Sequence, residues 1–471
     1  MSFTSVSFLN IFLPLTIILY FLVGFENKVK YKNFILTIAS ILFYAWCGIQ
    51  YLILFIVIIL INYLCARKLS YAKNKKRRLC LVITLDVVVL TIFKYFNFFV
   101  DNIEKIGQSV YNRDFAINEP LIPLPLGISF IVFQMIAFMV DVYKDEVKVD
   151  SVWDVVLFFM FFPQVVQGPI LRYNDISSEL KTRISTKENL CLGAERFIIG
   201  FVKKILVADK LVPLSNYIFS TVDFGVAIGY AWLGVICYAF VIYFDFSGYT
   251  DMAIGIAKIF GFDIPENFEH PYIAQSIQEF WQRWHITLSR WFKDYVYIPL
   301  GGNRKGKLAS GRNIMIVFLL TGIWHGASWT FVIWGVWHGI FRIIEMIGLK
   351  KILQKIPVIF RYIYTWLIVL VGWVFFRADN IKHALLYIKS MFLPNDATYL
   401  HLGVLKYFDL QLVVVMLIAI LFSMPIRKKI VSFISDKKLF VFYRILLCVL
   451  FFLAMASMLG SSVNPSIYEK F

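Results

Sequence analysis

A histidine, His325, stands inside a long apolar run with glycines at 322 and 326. An ionisable side chain is costly in a membrane, so it commonly faces a cavity or pathway and serves a function. Histidine titrates near neutral pH and can take a proton from a hydroxyl group that attacks an acyl carbonyl. The two glycines would let another helix approach closely. His325 is therefore our first candidate for a catalytic base.

A second histidine, His285, lies in the segment QEFWQRWHITLSR at 278–290. Read as one helix, this segment places Trp281 and His285 on the same face, four residues apart. His285 is the second candidate for proton transfer or hydrogen bonding to a reactant. The remaining histidines are better explained as loop, core or interface residues: His270, His338, His383 and His401.

Two carboxylates, Asp245 and Asp251, flank Gly248 in the segment DFSGYTD, which also contains Ser247. They fit equally well a polar helix junction held by side-chain hydrogen bonds and the wall of a reaction cavity. We expect no metal ion, because no cysteine lies near His325 and no H-E-x-x-H pattern occurs.

Two motifs that resemble catalytic signatures are discounted. The segment GGNRKGKL at 301–308 matches a P-loop through its lysine, but Leu308 replaces the required Ser or Thr and no strand precedes it. No G-x-S-x-G elbow is present, so a serine acyl-enzyme has no support. The basic turn at 301–308 is expected at the cytoplasmic face, where it could meet an anionic donor.

The elements that position these residues are membrane helices. Apolar residues make up 60% of the 471 residues and charged residues only 16%, far from the balance of soluble proteins. The net charge of +17 does not indicate nucleic-acid binding, since the basic residues cluster in short loops such as 67–78. Such clusters are typical of cytoplasmic loops. The six cysteines are scattered and predict neither disulfides nor a metal site.

We predict an all-α polytopic membrane protein with about eleven transmembrane helices plus re-entrant segments. Pro163, Gly168 and Pro169 break the run at 152–171, which therefore predicts a re-entrant segment. The run at 313–347 is too long for one crossing and predicts a break near 326–328. The polar stretch 263–312 is expected at the cytoplasmic interface, with its tryptophans at headgroup depth. Other predicted runs cover 6–24, 33–48, 50–66, 79–99, 121–143, 191–219, 225–246, 249–262, 358–376, 410–425 and 439–460.

The charge distribution also predicts orientation and domain organisation. The basic stretch after the first run, Lys28 to Lys32, places the N-terminus outside the cell membrane. A retained first helix is expected, because no basic residue precedes it in Met1 to Asn10 and no small-residue cleavage site follows it. We expect a single membrane domain over 1–471, with N-terminal spans at about 1–150, a catalytic core at about 151–347 and C-terminal spans at about 358–460.

Five ordered motifs together resemble the membrane-bound O-acyltransferase family, and within it the bacterial alginate O-acetylation branch. They are FPQVVQGPI at 162–170, DFSGYTDMAIG at 245–255, IPENF at 264–268, FWQRWHITLSRWFKDYVYIPLGGNR at 280–304 and TGIWHG at 321–326. The resemblance implies a bowl of tilted and re-entrant helices around a central tunnel. It also implies that His325 is catalytic and that His285 occupies the second conserved polar position.

The resemblance further implies which side chains line the tunnel or the substrate site. We expect these to be Trp324, Trp281, Trp284, Asp245, Ser247, Asp251, Asn267, Gln164 and Arg290.

The function implied is O-acetyl transfer across the membrane. A cytoplasmic donor, acetyl-CoA as substrate and not as a bound cofactor, would supply the acetyl group. A cell-surface polysaccharide would be the final acceptor, reached through an extracytoplasmic partner of the SGNH type. D-alanyl transfer to teichoic acid is the close alternative, and a polysaccharide transporter without chemistry is a weaker one.

Overall fold

The structure is a computed structural model of the whole chain. It describes residues 2–24, 28–69, 71–111, 121–149, 151–394, 403–404, 406–426 and 437–460. All regular structure within these ranges is helical, as expected. The chain divides into two compact units, residues 1–191 with 257–265 and residues 192–256 with 266–471.

The first unit contains most of the N-terminal helices. A π-helical turn, Phe8–Phe12, leads directly into the first α-helix. The α-helices are α1 (Leu13–Leu22), α2 (Val29–Ala45), α3 (Ile49–Leu69), α4 (Lys75–Tyr111), α5 (Ile128–Tyr143), α6 (Val152–Met160) and α7 (Tyr173–Lys181).

The helices that follow belong mainly to the second unit. They are α8 (Lys187–Val202), α9 (Asp209–Ser220), α10 (Ile228–Ile259), α11 (Ile277–Arg283), α12 (Ile286–Phe292), α13 (Gly306–His325), α14 (Trp329–Ile344), α15 (Lys350–Leu353), α16 (Val358–Arg377), α17 (Ile381–Phe392), α18 (Leu410–Phe422) and α19 (Lys437–Leu459). Short π-helical segments join α8 to α9, follow α12 and join α14 to α15.

Several of these helices are built to cross a membrane. Six in the described part of the chain are long and apolar enough, and three shorter ones are apolar: Phe8–Leu22, Ile128–Tyr143 and Leu410–Phe422. Apolar side chains such as Ile53 and Leu64 are more than half exposed on the surface of α3. Water would penalise such a surface, whereas lipid tails would not. The chain is a multi-pass membrane protein.

The expected separation of the runs at 225–246 and 249–262 is wrong, because α10 continues unbroken over 32 residues. A glycine, Gly248, stands where we expected a junction. A Cβ atom there would lie 2.7 Å from the carbonyl oxygen of Gly200 on α8. Gly248 therefore allows close helix packing and does not end the helix.

The segment at 152–171 behaves as its prolines and glycine predict. Helix α6 ends at Met160, and the chain from 161 to 171 forms turns in which every residue is buried. Irregular backbone is tolerated at membrane depth when protein covers it, because its polar groups then find partners inside the molecule. A re-entrant segment therefore remains the interpretation of this stretch.

The break predicted near 326–328 is confirmed. Helix α13 ends at His325, and the Ser328 side chain accepts a hydrogen bond from the Thr330 amide at the start of α14. The two helices form a tight hairpin. A Cβ atom at Gly322 would lie 2.3 Å from the Phe331 carbonyl oxygen, and one at Gly335 would lie 2.3 Å from the Phe318 carbonyl oxygen.

Candidate active site

His325 is the last residue of α13 and lies in an aromatic pocket. Its side chain is 2% exposed. Its ring centroid lies 5.0 Å from those of Trp324 and Trp334 and 5.3 Å from that of Phe376. The helix ends here because Gly326 adopts an extended conformation. The hairpin thus holds the imidazole at the point where the chain turns.

His285 lies between two short helices and not on a helix face. Helix α11 ends at Arg283 and α12 begins at Ile286, while His285 has φ 45° and ψ 55°. The expected i,i+4 relationship with Trp281 is therefore wrong. The left-handed conformation is rare for residues other than glycine. It interrupts the helix between α11 and α12, and the imidazole is wholly buried.

Asn267 holds the His285 ring and determines its tautomer. The Asn267 Oδ1 atom lies 3.0 Å from Nδ1 of His285 and accepts hydrogen bonds from the Thr287 backbone N–H at 3.3 Å and hydroxyl at 2.9 Å. A backbone N–H can only donate, so the atom facing Thr287 must be the amide oxygen. His285 consequently donates from Nδ1, and its Nε2 is a lone-pair acceptor. Among the described residues, that Nε2 has no hydrogen-bond partner.

The two imidazoles lie close together. Their ring centroids are 6.5 Å apart, and Trp324 lies against both, at 6.0 Å from His285 and 5.0 Å from His325. His285 lies outside the spanning helices, and burial lowers its pKa to about 3. It is therefore neutral at physiological pH and able to accept a proton or a hydrogen bond.

The predicted tryptophans are core residues. We expected Trp281, Trp284 and Trp291 at headgroup depth, where one end of each indole would be wet. All three are buried instead. Trp284 packs 4.9 Å from Trp373 and 5.0 Å from Phe268, measured between ring centroids. The aromatic side chains thus build the walls around the histidines.

The acidic residues of α10 pair with basic side chains. Asp251 lies 2.6 Å from both Arg196 and Lys203, and Asp245 lies 2.7 Å from Lys204. Between them, Phe246 presents its ring to His285 at 4.9 Å. One face of α10 thus contacts the histidine site, while its carboxylates pair with basic side chains of α8 and of the segment that follows it.

Three other predicted lining residues have different surroundings. Ser247 is buried, and its Oγ has no hydrogen-bond partner among the described residues. Gln164 is buried in the first unit, where its Nε2 donates to the Phe158 carbonyl. Arg290 is exposed on α12. Of the predicted set, the structure places His325, His285, Trp324 and Asn267 in one connected cluster.

A cavity of about 620 Å³ opens beside this cluster in the second unit. Its walls include Trp281 and Phe318, and three basic side chains line it: Lys293, Arg304 and Arg342. The Gly301–Gly302 turn also contributes, both glycines having positive φ. Its volume lies in the range of small-molecule sites.

The basic turn at 301–308 was predicted from the sequence, whereas the contributions of Lys293 and Arg342 to this cavity were not. A signal was present, because Arg342 follows His338 by four residues on one helix.

The remaining histidines have separate environments. His270 has φ 48° in the loop before a 3₁₀ turn. His383 lies 3.1 Å from Asp223, away from the aromatic cluster. His401 lies outside the described residues. No group of three His, Cys, Asp or Glu side chains within the described ranges could hold a metal ion.

Residues 41–380 match the model of the MBOAT, membrane-bound O-acyltransferase, family. The chain belongs to this family and is a membrane-embedded O-acyltransferase. It is 40% identical over 422 residues to a "Probable alginate O-acetylase AlgI" of Azotobacter vinelandii, across 88% of this chain and 83% of that protein.

Two further relatives are named for other activities. The chain is 36% identical over 436 residues to the "Peptidoglycan O-acetyltransferase" of Helicobacter pylori, across 85% of this chain and 81% of that protein. It is 32% identical over 215 residues to the "Teichoic acid D-alanyltransferase" of Bacillus subtilis, across 43% of this chain and 54% of that protein. The resemblance read from the five motifs is thereby confirmed.

Proposed function

We propose that the protein transfers acetyl groups from a cytoplasmic thioester donor to an extracytoplasmic hydroxyl, for O-acetylation of a cell-surface polysaccharide. The observation that carries this proposal is the buried pair His325 and His285, with rings 6.5 Å apart and the acceptor nitrogen of His285 defined by Asn267. The two relatives that match most of the chain are named for O-acetyl transfer to glycans.

The chemistry follows from two buried imidazoles beside one another. His325 takes the proton of the acceptor hydroxyl as that oxygen attacks the acyl carbonyl carbon. The carbon–sulfur bond breaks, the ester forms, and the proton passes from His325 to the departing thiolate. His285 assists through its Nε2 lone pair, by accepting a hydrogen bond from the hydroxyl or from His325. General-base assistance of this kind contributes typically about 10²–10⁴-fold in rate.

Acetyl-CoA is the donor that we propose, as a substrate. The cavity lined by Lys293, Arg304 and Arg342 would attract a phosphorylated, anionic molecule. It lies beside the basic turn at 301–308, and basic loops favour the cytoplasmic side. Because basic segments favour the cytoplasmic side, we also propose that the N-terminus lies outside.

The acceptor route and the architecture around the site complete the proposal. An extracytoplasmic partner of the SGNH type would pass the acetyl group to the polysaccharide. The whole chain, 1–471, would act as one membrane domain. About eleven spans and a tunnel that joins the two membrane faces stay predictions from the family resemblance.

D-alanyl transfer is the runner-up. The Bacillus subtilis relative named for D-alanyl transfer aligns with less than half of this chain. The relatives named for O-acetyl transfer align with more than four fifths of it. A transporter without chemistry has no support in a chain that belongs to an acyltransferase family.

The test compares His325→Ala with His383→Ala in cells that make the protein. His383 is the matched control, since it is a histidine outside the cluster. We expect His325→Ala to abolish ester-linked acetate on the surface polysaccharide at normal membrane abundance, with His383→Ala like wild type. Unchanged acetate in the His325 variant would refute the proposal, and loss of ester-linked D-alanine instead would favour the runner-up.

A further inference from the structure

A third histidine, His338, is buried one helix turn beyond Trp334 on α14. It is 0% exposed, and neither ring nitrogen has a hydrogen-bond partner among the described residues. Buried polar atoms are nearly always paired, and an unpaired one costs folding free energy. The packing is tight, because a Cβ atom at Gly372 would lie 2.6 Å from Nε2 of His338. The fold thus retains an imidazole where an apolar side chain would be more stable.

Two indole N–H groups beside His338 are likewise buried without a hydrogen-bond partner among the described residues. Trp281 and Trp334 both lie 5.2 Å from His338 between ring centroids, and 5.6 Å from each other. The Nε1 atom of each is buried without a partner among the described residues. Three neighbouring side chains therefore hold four polar nitrogens that nothing within the described protein satisfies. Such a concentration points to a ligand that supplies both donors and acceptors.

These three side chains lie between the large cavity and the candidate catalytic histidine. At one end Trp281 lines the cavity, as does Arg342, one turn beyond His338. At the other end the Trp334 ring lies 5.0 Å from that of His325. Trp281 therefore lies at the cavity, Trp334 lies beside His325, and His338 packs against both indole rings.

We propose that His338 and the indole N–H groups of Trp281 and Trp334 bind the amide-bearing arm of the acyl thioester donor. This inference rests on the proposed function and names the residues that recognise the donor. Two indole donors, with one donor and one acceptor on the neutral imidazole, match the C=O and N–H groups of secondary amides. Because the three rings are closely packed, binding would require the Trp281 side chain to rotate out of the cluster, and the thioester would then approach His325.

The experiment compares two donors on the full-length protein in detergent. Acetyl-CoA carries two amides in its arm, whereas phenyl thioacetate is a thioester with none. Thiol release that depends on His325 is measured for wild type, His338→Leu and His338→Gln. We expect His338→Leu to lower kcat/KM for acetyl-CoA about tenfold, mainly through KM, with phenyl thioacetate nearly unaffected. Gln, which donates and accepts, should restore most of the loss.

A pair of tryptophan variants on α14 provides a matched control. Trp334→Phe and Trp337→Phe remove the same volume, but the Trp337 N–H already donates to the Ile368 carbonyl at 2.9 Å. We expect Trp334→Phe to weaken acetyl-CoA use with a small loss of thermal stability. Trp337→Phe should lower the thermal stability more and leave the use of acetyl-CoA nearly unchanged. If His338→Leu does not fold, these two tryptophan variants still test the proposal.

The inference is overturned if folded His338→Leu loses both donors equally, or neither, or if Trp334→Phe and Trp337→Phe behave alike. If wild-type protein releases no His325-dependent thiol from either donor, the proposed function itself fails. The two failures are therefore distinct.

Discussion

Asn267 Oδ1 accepts a hydrogen bond from Nδ1 of His285 at 3.0 Å, and this contact fixes which imidazole nitrogen carries the proton. The same oxygen accepts from the backbone N–H of Thr287, which excludes the flipped amide. The Ile286 N–H donates to the Asn267 carbonyl at 3.0 Å, so the loop and the turn are also joined through their backbones. In the proposed mechanism, Asn267 would act through His285 as a positioning residue.

Replacing Asn267 by Ala should lower kcat about 10²-fold with little change in KM for the donor, because His285 loses its orientation and tautomer. Thr287→Val is the control, since it removes only the hydroxyl donor and keeps the backbone N–H. Steady-state rates of thiol release would measure both. Wild-type kcat in folded Asn267→Ala would show that the contact is structural only.

The burial of His285 predicts a specific loss of stability in acid. Its pKa is 6.5 when exposed and falls to about 3 in the folded protein. The unfolded chain therefore binds a proton more readily than the folded chain as the pH falls from 6.5 towards 3. Stability from this residue is complete above pH 6.5 and is lost through that window. At pH 5 the loss amounts to about 2 kcal/mol.

His285→Asn removes this titration while keeping a residue that tolerates positive φ. We expect wild type to lose more thermal stability than the variant between pH 7.5 and pH 5. Melting curves at the two pH values measure the difference, and the comparison cancels the contribution of the other histidines. Equal losses in the two proteins would contradict a neutral, desolvated His285.

The sequence was sufficient for the class and for the hairpin break, and the two histidines that it singled out lie 6.5 Å apart in the structure. Apolar runs, basic loops and glycine positions are local signals, and they predicted the turn after His325 correctly. The left-handed conformation of His285 was not predictable, because helical periodicity continues across a single residue with positive φ. Trp324 and Trp329 are equally apolar in sequence, yet the first is buried against both histidines and the second is 54% exposed.

Some ion pairs could not be predicted from the sequence, because the two residues lie far apart in the chain. The cation Arg196 stands 55 residues before Asp251. No spacing rule connects two such positions, and only packing of α8 against α10 brings them together. The assignment of Asp251 to the substrate site remained open for this reason.

The close approach of α13 and α14 predicts that Gly322→Ala will be damaging. The new methyl group would lie 2.3 Å from the backbone oxygen of Phe331, which cannot move without displacing α14 and thereby His325. We expect a loss of about 1–3 kcal/mol or more, and reduced activity. Gly311→Ala on the same helix is the control, since its nearest new contacts are at 3.7 Å. Unfolding by denaturant should show that variant unchanged or stabilised by about 0.5–1 kcal/mol. If Gly322→Ala were equally stable, the hairpin would be looser than described.

Substitution of Asp251 distinguishes a structural role of this carboxylate on α10 from a role in binding the substrate. Its side chain is 6% exposed and pairs with two cations, so Asp251→Asn would leave Lys203 without this carboxylate and Arg196 with only the more exposed Glu266. We expect a loss of about 3–5 kcal/mol in unfolding free energy, with kcat of the surviving folded protein nearly unchanged. Asp263→Asn is the control, because it breaks an exposed pair with Lys258 and should cost less than about 1 kcal/mol. Normal stability combined with lost activity in Asp251→Asn would instead place this carboxylate at the substrate. In that case the ion pairs with Arg196 and Lys203 would serve to orient it for the reaction.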